Sequence, residues 1–77
     1  MKQDELVSRI KTEIAIGTKN RERMVTFHAM VVCNARMLSN MDPVEFCRKV
    51  GVSDSYAIEF KKMLALAPRL SAHRVLP

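Results

Sequence analysis

The sequence predicts an all-α fold of four helices, and three observations lead to this prediction. Apolar residues recur at helical spacing through most of the chain. One segment begins with a full set of helix-start residues and ends at a glycine. The chain has 77 residues, enough for one small domain whose core is marginal without oligomerisation. The predicted helices span residues 3–16, 20–39, 43–50 and 54–66.

The first predicted helix, residues 3–16, is amphipathic. Charged residues occupy much of its circumference, and its apolar face consists of Leu6, Val7, Ile10 and Ile14. Gly17 is placed to end this helix, and Asn20 is the predicted N-cap of the next one. The basic segment Lys19–Arg23 is either a solvated helix start or a clamp for phosphate groups.

The second predicted helix, residues 20–39, is apolar around most of its circumference. Its middle, residues 27–33, leaves hardly any polar face. Three other short helices cannot easily surround it, so we expect part of its surface to pack against a second copy of the chain. His28 is interpreted as a partly buried packing residue and not as a catalytic base. The predicted homodimer contacts are Val25, Ala29, Val32 and Cys33.

The third predicted helix, residues 43–50, has unusually complete boundary signals. Asp42 is the N-cap, Pro43 takes the first helical position, and Glu45 follows three residues after the cap. Gly51 ends the helix, because a residue with positive φ is favoured there.

The last predicted helix, residues 54–66, follows a short turn. Ser53 is its predicted N-cap, and Pro68 is expected to stop it. The residues after it lack helical periodicity. The chain therefore divides into a domain of residues 1–68 and a flexible basic tail of residues 69–77. The role of that segment is open between a loose tail, a minor-groove arm and the beginning of something longer.

Apolar residues on both sides of this turn lie where two steeply crossing helices bury side chains: Phe46, Val50, Val52, Ala57 and Phe60. Cys47 takes the position where the two backbones come closest, which requires a small residue. The pattern covers about a third of the chain and resembles the helix-turn-helix of small bacterial and phage repressors. In that family the second helix of the motif lies in the major groove of DNA.

The resemblance implies sequence-specific binding of double-stranded DNA by a homodimer in the bacterial cytoplasm or nucleoid. The usual setting of such domains is transcriptional repression or the maintenance of a plasmid or phage. Asp54 is assigned to stabilising the dipole of the second helix. Base contacts are expected from that helix and its start, namely Ser53, Ser55, Glu59 and Lys62. Phosphate contacts are expected from Lys19, Arg21, Arg23, Arg48, Lys49 and Lys61.

The composition agrees with this interpretation without requiring it. Thirteen lysine and arginine residues against eight aspartate and glutamate residues give a formal charge of +5, which favours polyanionic partners. An acidic protein surface or anionic lipid would suit the same charge. Two further functions stay open. One is a protein-interaction module, an adaptor or antagonist that uses the apolar second helix, and the other is a nucleoid-type protein that binds DNA without sequence preference.

Other classes of site are not expected. The two cysteines, Cys33 and Cys47, lie in apolar helical patterns, which favours reduced thiols. Together with His28 and His73 they form no short metal-ligand pair, so neither a metal nor another cofactor is predicted. Neither histidine has an evident nucleophile beside it, which argues against an enzyme. The longest apolar run, residues 29–33, is too short to cross a membrane.

Overall fold

The computed structural model describes residues 2–73 and contains helices but no strand within that range. Its elements are α1 (Gln3–Lys19), α2 (Arg23–Cys33), α3 (Ala35–Leu38), α4 (Pro43–Val50) and α5 (Tyr56–Ala72). The all-α prediction is therefore confirmed, with five helices among residues 2–73 in place of the four predicted. None of these helices combines the length and the apolar composition that crossing a lipid bilayer requires.

Gly17 lies inside α1 and not at its end, so the predicted stop at this residue is wrong. It is buried beside Thr26, where α2 packs against α1. A Cβ atom at this position would clash with the Thr26 hydroxyl and lie 2.9 Å from the Thr26 Cβ. Glycine is needed here because the two helices approach closely, and α1 continues past it to Lys19.

The connection between α1 and α2 closes with two backbone hydrogen bonds. The Glu22 N–H donates to the Gly17 carbonyl at 2.6 Å. The Arg21 N–H donates to the Thr18 carbonyl at 3.2 Å. This pattern requires a left-handed residue, and Arg21 takes that conformation with a φ of +61°. Asn20 follows the last residue of α1, so it is the C-cap of α1 and not the N-cap of the second helix.

The predicted second helix, residues 20–39, is broken at Asn34 into α2 and α3. The side-chain amide of Asn34 donates to the Met30 carbonyl at 2.8 Å, and its backbone N–H donates to the same carbonyl at 3.2 Å. Asparagine side chains that bond locally to the backbone compete with helix propagation. Helix α2 therefore ends at Cys33, and the short helix α3 begins at Ala35, immediately after Asn34.

The N-terminal and C-terminal caps of α4 are those predicted. The Asp42 carboxylate accepts a hydrogen bond from the Glu45 N–H at 3.0 Å. Gly51 ends the helix with a φ of +81°. The following Val52 N–H donates to the Cys47 carbonyl at 3.0 Å. Both boundary predictions for this helix are confirmed.

α5 starts later and ends later than predicted. The Ser53 carbonyl accepts a hydrogen bond from the Tyr56 N–H at 3.0 Å, which forms a turn before the helix begins. The Ser53 hydroxyl accepts from the Ser55 N–H at 3.3 Å, so Ser53 caps this turn and not the helix itself. At its other end, α5 runs through Pro68 to Ala72, and the predicted stop at Pro68 is wrong.

Proline removes one backbone hydrogen bond from α5, because it has no N–H to donate to the Leu64 carbonyl. Packing offsets this loss, since Ala67 is buried and Leu64 packs against the core. Residues 69–72 therefore belong to α5 and not to the predicted flexible tail of residues 69–77. Residues 74–77 of that prediction lie outside the described residues.

One core joins these helices. α1 and α5 each pack against both α2 and α4, and α3 packs against α5. Phe27, Phe46 and Phe60 are fully buried, with the Phe46 ring 5.9 Å from the Phe27 ring and 4.6 Å from the Phe60 ring. Burial of each such side chain stabilises the fold by about 2 kcal/mol. The core predicted around the turn is confirmed, with Ala57 half-buried and the other members buried.

Candidate nucleic-acid interface

The turn between α4 and α5 sets the position of α5. Cys47 and Val52 are buried at this turn, and the contacting rings of Phe46 and Phe60, tilted by 31°, join the two helices. Burial raises the pKa of the Cys47 thiol, because a thiolate would be desolvated there, and the negative charge of Asp54 raises it further. The α4–α5 unit is therefore a packed helix-turn-helix in which Cys47 has a structural role.

An ion pair spans the turn. Arg48 donates two hydrogen bonds to the Asp54 carboxylate, at 3.0 and 3.3 Å. These hydrogen bonds lower the pKa of Asp54 and raise the pKa of Arg48. The sequence predicts a role for Asp54 at the helix dipole and for Arg48 at phosphate, and in the structure the two side chains bind each other. The negative charge at the start of α5 is thereby offset by a cation.

One side of α5 faces away from the core. Viewed down the helix axis, the side of α5 opposite the buried Phe60 consists of five exposed residues: Ser55, Ile58, Lys62, Ala65 and Arg69. We call this set the outer face of α5. It includes Ser55 and Lys62, two of the four predicted base contacts. It also includes Ile58, which the sequence analysis did not single out and which is 62% exposed.

Glu59, another predicted base contact, is directed toward α2. His28 Nε2 donates to the Glu59 carboxylate at 3.0 Å, and Lys62 Nζ lies 3.3 Å from its second oxygen. The hydrogen bond from His28 is the main cause that lowers the pKa of Glu59, and the one from Lys62 adds to it. This pair is not evident from the sequence, because the two residues are 31 positions apart and only the packing of α2 on α5 joins them.

Ser53 and Ser55 lie together at the start of α5. Both are exposed, and the Ser55 hydroxyl donates to the Ser53 hydroxyl at 3.0 Å. The four predicted base contacts therefore form two pairs, the two serines at the helix start and Glu59 with Lys62 one to two turns later. Their contact with bases stays a prediction.

The six predicted phosphate contacts are all exposed and fall into two groups. The first group, Arg48, Lys49 and Lys61, belongs to the helix-turn-helix, and Lys49 pairs with Glu45 one turn earlier at 3.1 Å. The second group lies at the α1–α2 connection and consists of Lys19, Arg21 and Arg23. The Nε atom of Arg23 donates to the Thr18 hydroxyl at 2.9 Å. Contact of either group with phosphate stays a prediction.

α2 and α5 run in the same direction, as contacts at both ends of the two helices show. The Phe27 ring of α2 lies 5.1 Å from the Tyr56 ring in the first turn of α5. Further along, Val32 near the end of α2 and Ser71 near the end of α5 line one groove, which also borders α3. The α1–α2 connection therefore sits at the end of the molecule where α5 begins. Arg48, bound to Asp54, approaches the same end from α4.

A family model described as an HTH-like domain matches residues 2–73, nearly the whole chain. The chain belongs to the HTH-like domain family. Membership indicates DNA binding in general, in a family that is typically not catalytic. Comparisons with curated proteins and with solved structures gave no match.

An apolar patch lies between α2 and α5 of this HTH-like domain. Its α2 side contains Val25, which is 65% exposed, together with the exposed Ala29 and Cys33. Met63 and Leu66 extend it on α5. We call these five residues the α2–α5 patch, and three of them are predicted dimer contacts. The remaining predicted contact, Val32, also borders the patch but is only 9% exposed.

The residues weighed as metal ligands have other surroundings. His28 is bound to Glu59, Cys47 is buried, and Cys33 is an exposed thiol. Among residues 2–73, no cluster of three or more histidine, cysteine, aspartate or glutamate side chains is suited to hold a metal ion.

Proposed function

We propose that this HTH-like domain binds double-stranded DNA sequence-specifically as a homodimer. In that role it acts as a small transcriptional repressor or as a plasmid or phage maintenance regulator in the bacterial cytoplasm or nucleoid. The observation that carries the proposal is the exposed outer face of α5 on a fully packed helix-turn-helix. A helix presented in this way fits the major groove of B-DNA, which is wide enough to admit an α-helix.

The proposed base contacts differ in chemistry. Ser53 and Ser55 carry hydroxyl groups that donate or accept, so they tolerate several bases. Lys62 donates to guanine or to a phosphate oxygen. Glu59 accepts a hydrogen bond from the amino group of cytosine, and this contact would replace one of its present bonds to His28 and Lys62.

The proposed phosphate contacts come from three parts of the chain. Lys19, Arg21 and Arg23 approach from the α1–α2 connection, and the other three come from α4 and α5. The ion pair of Arg48 with Asp54 reduces the repulsion between that carboxylate and DNA. Each lysine or arginine that neutralises one phosphate adds about one to the slope of log affinity against log salt.

The proposed homodimer uses the α2–α5 patch. Val25, Ala29 and Cys33 are exposed on one side of the domain, and none of them belongs to the outer face of α5. Dimerisation and DNA binding therefore use different residues. A twofold arrangement places the two α5 helices in successive major grooves, about 34 Å apart on B-DNA.

The same patch favours a second candidate function, a protein-interaction module. An exposed apolar surface beside a polar face also fits an adaptor or antagonist that binds a different protein. A third candidate, a nucleoid-type protein, would use the basic groups without reading bases.

A fluorescence polarisation titration separates these functions. A duplex selected from a randomised library and a random duplex are each titrated with the protein over a series of salt concentrations. We expect tight binding to the selected duplex above a weak, salt-dependent background. Lys62→Ala should weaken binding to the selected duplex, whereas Lys11→Ala, which removes the same exposed cation from α1, should not.

Two other outcomes would contradict the proposal. Equal binding to selected and random duplexes would indicate a nucleoid-type protein. No binding to either duplex at physiological salt would leave the protein-interaction module as the better explanation.

A further inference from the structure

The outer face of α5 carries one large apolar side chain. Ile58 is 62% exposed, whereas the neighbours on either side of it on this face, Ser55 and Lys62, are polar. Isoleucine is not among the strongest helix formers, and an exposed one gains nothing from burial. Single exposed apolar residues are common on protein surfaces and need no explanation. Ile58 differs because it lies in the middle of the outer face of α5, the surface proposed to contact DNA.

We propose that Ile58 recognises the C5-methyl group of a thymine in the major groove. This inference rests on the proposed function and adds a specific base to it. Ile58 lies three residues after Ser55 and four before Lys62, so all three side chains project from one side of α5. A helix that sets the two polar residues against base edges sets Ile58 between them.

No other part of the described structure covers Ile58. It lines neither the α2–α5 patch nor the groove between α3 and the end of α5. It is therefore not one of the residues through which the proposed dimer forms. It also lies opposite Phe60, away from the core.

Thymine is the chemical match for this side chain. It is the base that presents a methyl group in the major groove, and apolar side chains discriminate it through that group. Ile58 has no polar atom in its side chain and cannot read a hydrogen-bond donor or acceptor. Removing one buried methyl group weakens an apolar contact about fourfold in affinity.

The test replaces thymine by uracil, which lacks only the C5-methyl group. Duplexes selected for the unmodified protein are synthesised with uracil at one thymine position at a time, and their affinities are measured by polarisation. We expect one position per half-site at which uracil lowers affinity about fourfold. Ile58→Ala should bind the thymine duplex more weakly, and at that same position it should no longer distinguish thymine from uracil.

The matched control is Ile16→Ala, which makes the same change at a 49% exposed isoleucine of α1, outside the outer face of α5 and the α2–α5 patch. This variant should keep the full difference between thymine and uracil. The inference is overturned if uracil has no effect at any position, or if its effect persists in Ile58→Ala. Both results leave sequence-specific binding in place, whereas a protein that binds no duplex overturns the proposed function and this inference together.

Discussion

Arg21 and Gly51 occupy equivalent positions at the ends of α1 and α4. Each is the left-handed residue of its helix end, with φ values of +61° and +81°. In both cases the following residue donates its N–H to a carbonyl five positions earlier, at 2.6 Å after α1 and 3.0 Å after α4. Glycine takes this conformation without strain, whereas arginine does not. The same arrangement at the helix C-terminus is therefore strained at Arg21 and unstrained at Gly51.

Replacing Arg21 by glycine should increase stability and decrease DNA binding. Relief of the left-handed strain should raise the free energy of unfolding by about 0.5 to 1 kcal/mol, after the added flexibility of the unfolded chain is subtracted. Loss of the cation should weaken all duplexes alike and reduce the salt slope by about one. Urea unfolding and polarisation measure the two effects.

The matched control is Gly51→Ala. An added Cβ meets no atom within 4 Å at this position, so the expected loss of about 1 kcal/mol comes from the backbone alone. A less stable Arg21→Gly protein would contradict the strain argument.

Gly17→Ala should destabilise the domain by about 2 kcal/mol, because the new Cβ overlaps the Thr26 side chain. Adding Thr26→Ala removes the hydroxyl, the nearest atom, and should restore part of the loss. Denaturant unfolding of the two single variants and the double variant gives the coupling free energy between positions 17 and 26. Additive effects in this cycle would show that the two side chains do not meet.

The bonds to Glu59 should make stability depend on pH in the acid range. The pKa of Glu59 in the folded state is below its ordinary value of 4.5. The stabilising contribution of its ionised carboxylate is therefore fully present above about pH 4.5, and it is lost as the pH falls through the pKa of the folded state. Glu59→Gln should remove this contribution. The melting temperatures of the unmodified protein and of Glu59→Gln are compared between neutral and acid pH. Asp54, whose pKa is also lowered, affects both proteins alike, so the difference between their melting temperatures reports on Glu59. A constant difference at all pH values would contradict it.

Glu59→Ala should change base preference if this side chain reads cytosine. We expect a selection from a randomised library to lose its preference at one base pair per half-site, with a cost of about 1 to 3 kcal/mol at the preferred site. His28→Ala removes the hydrogen bond that holds the Glu59 carboxylate against α2. This variant should therefore strengthen the preference for cytosine, the opposite of the effect expected for Glu59→Ala. An unchanged affinity and base preference in Glu59→Ala would rule out this assignment.

Val25→Glu should convert the proposed dimer into a folded monomer that binds DNA more weakly. Val25 is 65% exposed, so a charge there is harmless to the single chain but must be desolvated in a dimer. Val32→Glu should abolish DNA binding for a different reason: Val32 is 9% exposed, so a charge there should unfold the chain. Sedimentation of the unmodified protein comes first, and a folded monomer at tens of micromolar would rule out the dimer.

The sequence by itself determined the fold class, the boundaries of α4 and the core around the turn. These features depend on local rules: an N-cap at Asp42, a left-handed glycine at Gly51 and apolar residues at helical spacing. Each rule acts within a few residues, so neighbouring residues in the chain are sufficient to predict it. The helix-turn-helix could be located for this reason.

Only the tertiary structure decided the features that depend on contacts between distant residues. Gly17 looked like a helix end but is a close contact with Thr26, and Pro68 looked like a stop but lies within a helix that packing holds together. His28 binds Glu59 across two helices, and the outward position of Ile58 follows from the side of α5 that the core buries. These arrangements arise because helix packing, and not local preference, sets which face of each helix is covered.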